Sequence, residues 1–280
     1  MSSVLYDALG PRARRRARLG SALAAVLLAG LVGLALQRLA GKGTLDPELW
    51  RLYGNPDFLR LLARGMSATL QAAAAAMVLA VLVGGLLAVG RLSQRWWVRA
   101  PVRAWVEFFR GMPLLLLILF LYLGLPALGL PVPVFWALVL GLALYNSAVI
   151  GEIFRAGILS LPKGQSEAAY AIGLTHTQTL ALVLVPQAVR RMLPALVSQL
   201  VTLLKDTSLG FVISYGELLR SGRGAVESLG GRYSVVVYTG VAALYIAVNM
   251  TLSWVARWLD RRTQRQYGRT VHVGAADEAA

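Results

Sequence analysis

A chain of 280 residues that is 57% hydrophobic and 15% charged, with a mean hydropathy of +0.63, carries more apolar surface than one soluble core can bury. Its net charge of +15 does not amount to a nucleic-acid surface, because the arginines stand in short clusters beside apolar runs, where anionic headgroups and the rules of membrane insertion account for them. Without cysteine and with two histidines, disulfides, thiol catalysis and cysteine-ligated metals are excluded, and a histidine metal site has little material.

Six segments reach the ~20 residues that cross a hydrocarbon core of ~30 Å. They run from Leu19 to Leu39, Met66 to Val89, Val102 to Leu125, Phe135 to Leu159, Pro194 to Ile213 and Val235 to Leu259. The expected fold class is all-α and polytopic, with about six transmembrane helices. The first segment follows an Arg-rich start, as a secretory signal would. Its apolar stretch is longer than the usual ~7 to 15 residues, which favours an uncleaved anchor. In the second, Ala80, Gly84 and Ala88 repeat every fourth residue and let another helix backbone approach closely. Gly111, Pro113 and Gly141 fall inside later spans, where neighbouring helices can satisfy freed backbone groups.

Arginine placement orients the chain. Arg12, Arg14, Arg15, Arg16 and Arg18 precede the first span, Arg91, Arg95, Arg99 and Arg103 join the second to the third, and Arg257, Arg261, Arg262, Arg265 and Arg269 follow the last. Six spans put all three sets on one side, which the positive-inside rule makes cytoplasmic, together with both termini. The uncharged loop from Gly124 to Val134 faces outward, and so does the mixed-charge loop from Gly41 to Gly65. Arg220, Arg223 and Arg232 also fall outside, against the trend. The tail beyond Arg269 is short and polar and is expected to be disordered.

Between the fourth and fifth spans lies EAAYAIGLTHTQTLALVLVP, from Glu167 to Pro186, on the cytoplasmic side. Gln165 to Ile172 favours helix, Gly173 can take the left-handed conformation that ends one, and Thr175 with Gln178 matches a capping box. Pro186 is expected to interrupt the second helix. The product is a hairpin of two short helices, with Ala168, Ala169, Ile172 and Leu174 free for a partner's groove. A plain connector remains the alternative.

In the fifth span, Ser198, Gln199, Thr202, Lys205 and Asp206 make a polar stripe, with Lys205 about 16 Å from Pro194 along the axis. Two central charges cost roughly 5 to 7 kcal/mol on the insertion scale, and the large apolar residues of the span return about 3 to 6. Such a helix must face protein or a water-filled pathway. Lys205 and Asp206 diverge by about 100° and are poorly placed to pair, so they could address a carboxylate and an ammonium. The alternatives are a structural ion pair with another helix, or a deeper cytoplasmic end of the span that places the pair nearer the outer interface. Glu152 and Arg155, three apart near the cytoplasmic end of the fourth span, read as a structural ion pair on one helix face, with a gate contact as the alternative.

The hairpin resembles the EAA loop of ABC importer permeases, in Glu167, Ala168, Ala169, Gly173, Val183 and Pro186, with Val185 where leucine is usual. VEFFRGMPLLLLILF from Val106, YNSAVIGEIFRAGI from Tyr145 and VPQAVRRMLPALVSQLVTLLKDTSL from Val185 resemble the polar amino-acid branch of that family. The resemblance implies the type I permease fold. It divides the chain into a basic cytoplasmic stretch at 1–18, an additional span at 19–40, a five-span core at 65–259 with the coupling loop at 164–187, and a cytoplasmic tail at 260–280. It further implies a multi-pass subunit of a prokaryotic plasma membrane, in contact with lipid. Its partners would be a second permease subunit, alike or different, a cytoplasmic ABC ATPase dimer and an extracytoplasmic substrate-binding protein. Glu167, Ala168, Ala169, Gly173 and Pro186 would couple to the ATPase, while Gln199, Thr202, Lys205, Asp206 and Ser208 would line the substrate pathway. The cargo would be a polar amino acid, glutamate first, with glutamine, arginine or another polar amino acid as alternatives. No Gly-x-x-x-x-Gly-Lys-Ser/Thr loop is present, so ATP hydrolysis falls to the partner, and no cofactor or metal is expected here. A secondary transporter would show internal repeats, and a membrane enzyme a catalytic cluster; neither pattern is evident.

Overall fold

The computed structural model describes residues 10–277, so the first nine residues of the basic N-terminal stretch and the last three of the tail lie outside the described residues. Helices dominate: α1 (Pro11–Gly41), α2 (Pro56–Arg91), α3 (Trp96–Gly111), α4 (Leu114–Ala127), α5 (Val134–Leu159), α6 (Lys163–Ala171), α7 (His176–Phe211), α8 (Leu218–Leu229) and α9 (Ser234–Asp277). Five are long and apolar enough to cross a membrane, and α3 with α4 makes a sixth span if counted together.

The third span is not one rod. It bends by 99° between α3 and α4. Met112 is extended (φ −82°, ψ 132°) because the ring of Pro113 disfavours the helical region for the residue before it. At 1.5 Å per residue α4 covers about 21 Å, too little to cross alone. Gly111 and Pro113 thus mark a break where tolerated irregularities were expected.

The fifth span departs in the opposite sense. Pro186 does not interrupt it: α7 runs through Pro186 and Pro194 for 36 residues, about 54 Å. A π-helical turn, Thr179–Leu184, stands just before Pro186, and a second, Phe120–Gly124, just before Pro126. Widening the turn relieves the clash between a proline ring and the carbonyl four residues back, and proline has no N–H to leave unpaired. The α9 helix likewise continues to Asp277, so the segment after Arg269, expected to be disordered, is helical up to that residue.

The core is built on the pairing of α2 with α5. Ala72, Ala76, Ala80, Gly84 and Ala88 are buried, and a Cβ at Gly84 would stand 2.9 Å from the Ser147 carbonyl and 3.1 Å from the Gly151 nitrogen. The small-residue stripe therefore serves backbone contact, as its spacing implies. Leu117, Ile118, Leu138, Leu142, Leu203 and Ile213 complete this core. A second cluster, Phe58, Leu62, Met66, Leu218, Val237 and Val241, joins α2 to α8 and α9. By contrast, α1 is exposed along its whole apolar stretch, with Leu23, Val26 and Leu31 each more than 60% accessible, as suits a helix clad in lipid.

Candidate functional site

The hairpin forms as its capping residues direct. Gly173 takes φ +83°, its N–H bonds the Tyr170 carbonyl at 2.9 Å, and the Leu174 N–H bonds the Ala169 carbonyl at 3.1 Å. That pair of bonds is a Schellman motif closing α6. Thr175 then starts α7: its N–H donates to Gln178 Oε1 at 2.9 Å, and its Oγ1 accepts from the Gln178 N–H at 3.4 Å, the reciprocal capping box. Gln187 donates to Gln165 across the two arms at 2.9 Å, and Tyr170 Oη lies 3.0 Å from His176 Nδ1. Leu161, Ala188 and Met192 anchor the base; a Cβ at Gly157 would meet the Met192 side chain at 2.2 Å, so α5 and α7 touch there.

The hairpin's outward face differs in part from expectation. Glu167, Ala168, Gly173 and Pro186 are exposed, and Ile172 is 78% accessible. Ala169 is buried because it turns toward the inside of the hairpin, and Leu174 is partly covered. Leu182, 66% accessible on the second arm, is an apolar surface residue that the pattern did not single out.

The polar stripe of α7 splits in two. Lys205 and Ser208, with Val201, line a cavity of about 840 Å³ whose far wall on α9 includes Tyr245, Asn249 and Arg257. Ser198 lines a neighbouring cavity of about 260 Å³. Gln199 points elsewhere, donating to Asn146 Oδ1 on α5 at 2.7 Å, and Asn146 in turn donates to the Leu142 carbonyl at 2.8 Å. Thr202 Oγ1 bonds the Ser198 carbonyl and Ser208 Oγ the Lys205 carbonyl. Asp206 lies outside the cavity lining. No ion pair joins it to Lys205, in keeping with their divergence, and among the described residues neither has another charged partner within 4 Å. Asn249 Oδ1 is buried without a hydrogen bond. Nothing in the periodicity of α9 pointed to Tyr245 or Asn249, whose roles depend on which helix faces them.

Two further polar clusters hold the spans. Arg155 Nε bonds both Glu152 oxygens at 3.0 Å, and Arg91 of α2 reaches the same carboxylate at 3.5 Å, a third member that spacing within α5 could not reveal. Glu217 is fully buried and caps α8, accepting from the N–H groups of Leu219 (2.8 Å) and Arg220 (2.7 Å) and from Tyr245 Oη (2.7 Å). Burial pushes the Glu217 carboxyl above its ordinary range, and the three donors oppose that rise. The Leu218 N–H bonds Thr69 Oγ1 at 3.1 Å, tying this cap to α2.

The comparisons with known proteins agree with this architecture. Residues 76–265 match the family described as binding-protein-dependent transport system inner membrane component. The chain is 39% identical over 229 residues to the glutamate transport system permease protein GluD of Corynebacterium glutamicum, covering 80% of this chain and 83% of that one. It is 37% identical over 207 residues to the probable glutamine ABC transporter permease protein GlnP of Bacillus subtilis, covering 74% and 95%. Among solved structures, an amino acid ABC transporter crystallised with histidines superposes with a TM-score of 0.69 at 32% identity, over 74% of this chain and 95% of that chain. The chain belongs to the binding-protein-dependent transport system inner membrane components, as a multi-pass permease subunit of a polar amino-acid ABC importer.

Proposed function

We propose that this subunit passes glutamate across the membrane and takes its power stroke from an ATPase seated on the α6–α7 hairpin. The observation that carries the cargo is Lys205: a lysine exposed to the α7–α9 cavity, with no carboxylate within 4 Å among the described residues. An unpaired ammonium in a water-filled path favours a substrate with a surplus carboxylate. Similarity to a glutamate permease supports the same reading. Glutamine is the second reading, favoured by similarity to a glutamine permease and by the Asn249 side-chain amide in the cavity wall.

Gln199, Thr202 and Asp206 belong to the same helix and set the path's shape, Gln199 by pinning α7 to α5. Exposed Glu167, Ala168, Ile172 and Pro186, held at a fixed angle by Gly173, give the ATPase dimer a rigid knob, with Ala169 as its internal support. The hairpin and both termini face the cytoplasm, a second permease subunit completes the membrane domain, and an extracytoplasmic binding protein delivers the substrate.

The test is ATPase activity of the whole assembly in liposomes, with its binding protein and a panel of glutamate, glutamine and arginine. Glutamate is expected to stimulate most strongly. Stimulation by glutamine without a response to glutamate would transfer the assignment to the second reading.

A further inference from the structure

Away from the hairpin and the α7–α9 cavity, a separate cavity of about 270 Å³ lies where the end of α2, the start of α3 and the end of α5 meet. Arg91, Trp96, Arg99, Ala100, Arg103 and Arg155 line it. Four guanidiniums around one space repel unless negative charge lies among them. The protein supplies two carboxylates: Glu152 holds Arg155 and Arg91, and Glu107 holds Arg103 at 2.7 Å. Four arginines against two glutamates leave two positive charges. Among the described residues, the side chain of Arg99 has neither a hydrogen bond nor an ion pair, and Arg91 Nη1 is buried without an acceptor. Leaving a buried charged donor unmet is costly, and one entering anion would satisfy both arginines.

The surroundings identify where that anion comes from. Trp96, Trp97 and Trp105 are 72%, 58% and 44% exposed along α3, and the Arg95 guanidinium lies over the Trp97 ring at 5.5 Å. Indoles with arginines beside an apolar span mark the level of lipid headgroups. Just above the cavity on α2, Leu82, Leu86 and Val89 are exposed, as a surface against acyl chains would be. Arginine forks suit the oxygens of a phosphate, and basic pockets between spans accept anionic headgroups.

We propose that this cavity binds the phosphodiester headgroup of an anionic phospholipid, with Arg99 and Arg91 Nη1 as its donors and Trp96 as its wall.

Native mass spectrometry of the full-length permease, released from nanodiscs of mixed phosphatidylglycerol and phosphatidylcholine, reads the lipid retained. The unmutated chain should retain phosphatidylglycerol in preference to phosphatidylcholine; equal retention overturns the proposal. Arg99→Gln should lower retained phosphatidylglycerol about five-fold, with Arg99→Lys keeping most of it, since each basic residue contributes about that much attraction. Because Arg99 has no protein partner, melting should be unchanged in both variants. Unchanged retention in Arg99→Gln would reject Arg99 as a ligand and with it the site. Inorganic phosphate added to the lipid-bound protein should displace nothing. Displacement would assign the cavity to soluble phosphate and overturn the lipid.

Discussion

Lys205 and Asp206 are neighbours in sequence, yet the helix sends them about 100° apart, so that one faces the α7–α9 cavity and the other does not. The two charges should therefore behave differently when removed. Lys205→Met deletes a donor available to a substrate carboxylate, a charge-assisted hydrogen bond of about 1.5 to 3 kcal/mol. Affinity at the membrane site should fall roughly 10- to 150-fold. Asp206→Asn should cost less transport, because its carboxylate is outside the lining. Substrate-stimulated ATPase measured against amino-acid concentration, with normal substrate capture by the binding protein, checks both. Equal defects in the two variants would show that the stripe acts as a unit. Loss of assembly in Lys205→Met without a selective transport defect would place Lys205 in the scaffold.

Among the elements, the hairpin depends for its geometry on the backbone conformation of Gly173. Gly173→Pro removes the N–H that bonds Tyr170 and imposes φ near −65° where the turn needs +83°, so the knob should lose its shape at a cost of more than about 1 kcal/mol. Glu167→Lys changes only an exposed charge and should leave stability within about 0.5 kcal/mol while reversing the sign of the docking face. Copurification of the ATPase from detergent, alongside transport, is expected to drop in both variants, with the melting temperature lowered only in Gly173→Pro. Wild-type coupling in both would reduce the hairpin to a connector. The π-helical turns belong to the same scale: before Pro186 a locally widened turn lets α7 continue where a proline would otherwise bend or end it, whereas α4 ends at Ala127, one residue past Pro126.

At the scale of the whole molecule, the break at Met112 and Pro113 decides how the arginines are distributed. With α3 turned by 99° from α4, Arg99 and Arg103 near the start of α3 line one cavity with Arg91 of α2 and Arg155 of α5. Orientation can be tested because the chain has no cysteine. Gln94→Cys and Thr177→Cys should be labelled by a membrane-impermeant thiol reagent from the cytoplasmic side, and Leu130→Cys from the opposite side. Leu130 is preferable to Gly129, whose φ of +81° would strain a cysteine. Labelling of all three from one face would refute the six-span arrangement.

What the sequence determined by itself is what near neighbours along the chain enforce. Apolar length set the number of spans, the four-residue spacing of Ala80, Gly84 and Ala88 marked a close helix contact, and Gly173, Thr175 and Gln178 specified the hairpin's caps. These features follow from sterics and hydrogen bonds within a few residues. Only the tertiary structure decided which side chains meet across the bundle. Gln199 finds Asn146 across 53 positions, Arg91 joins Glu152, and Glu217 is buried under Tyr245. Each pairing depends on how far one helix is rotated about its axis against another, and that angle is set by packing contributed by distant segments. The same dependence explains why Ala169 turned inward and the stripe of α7 divided: periodicity names the faces of a helix, and the neighbours decide what each face sees.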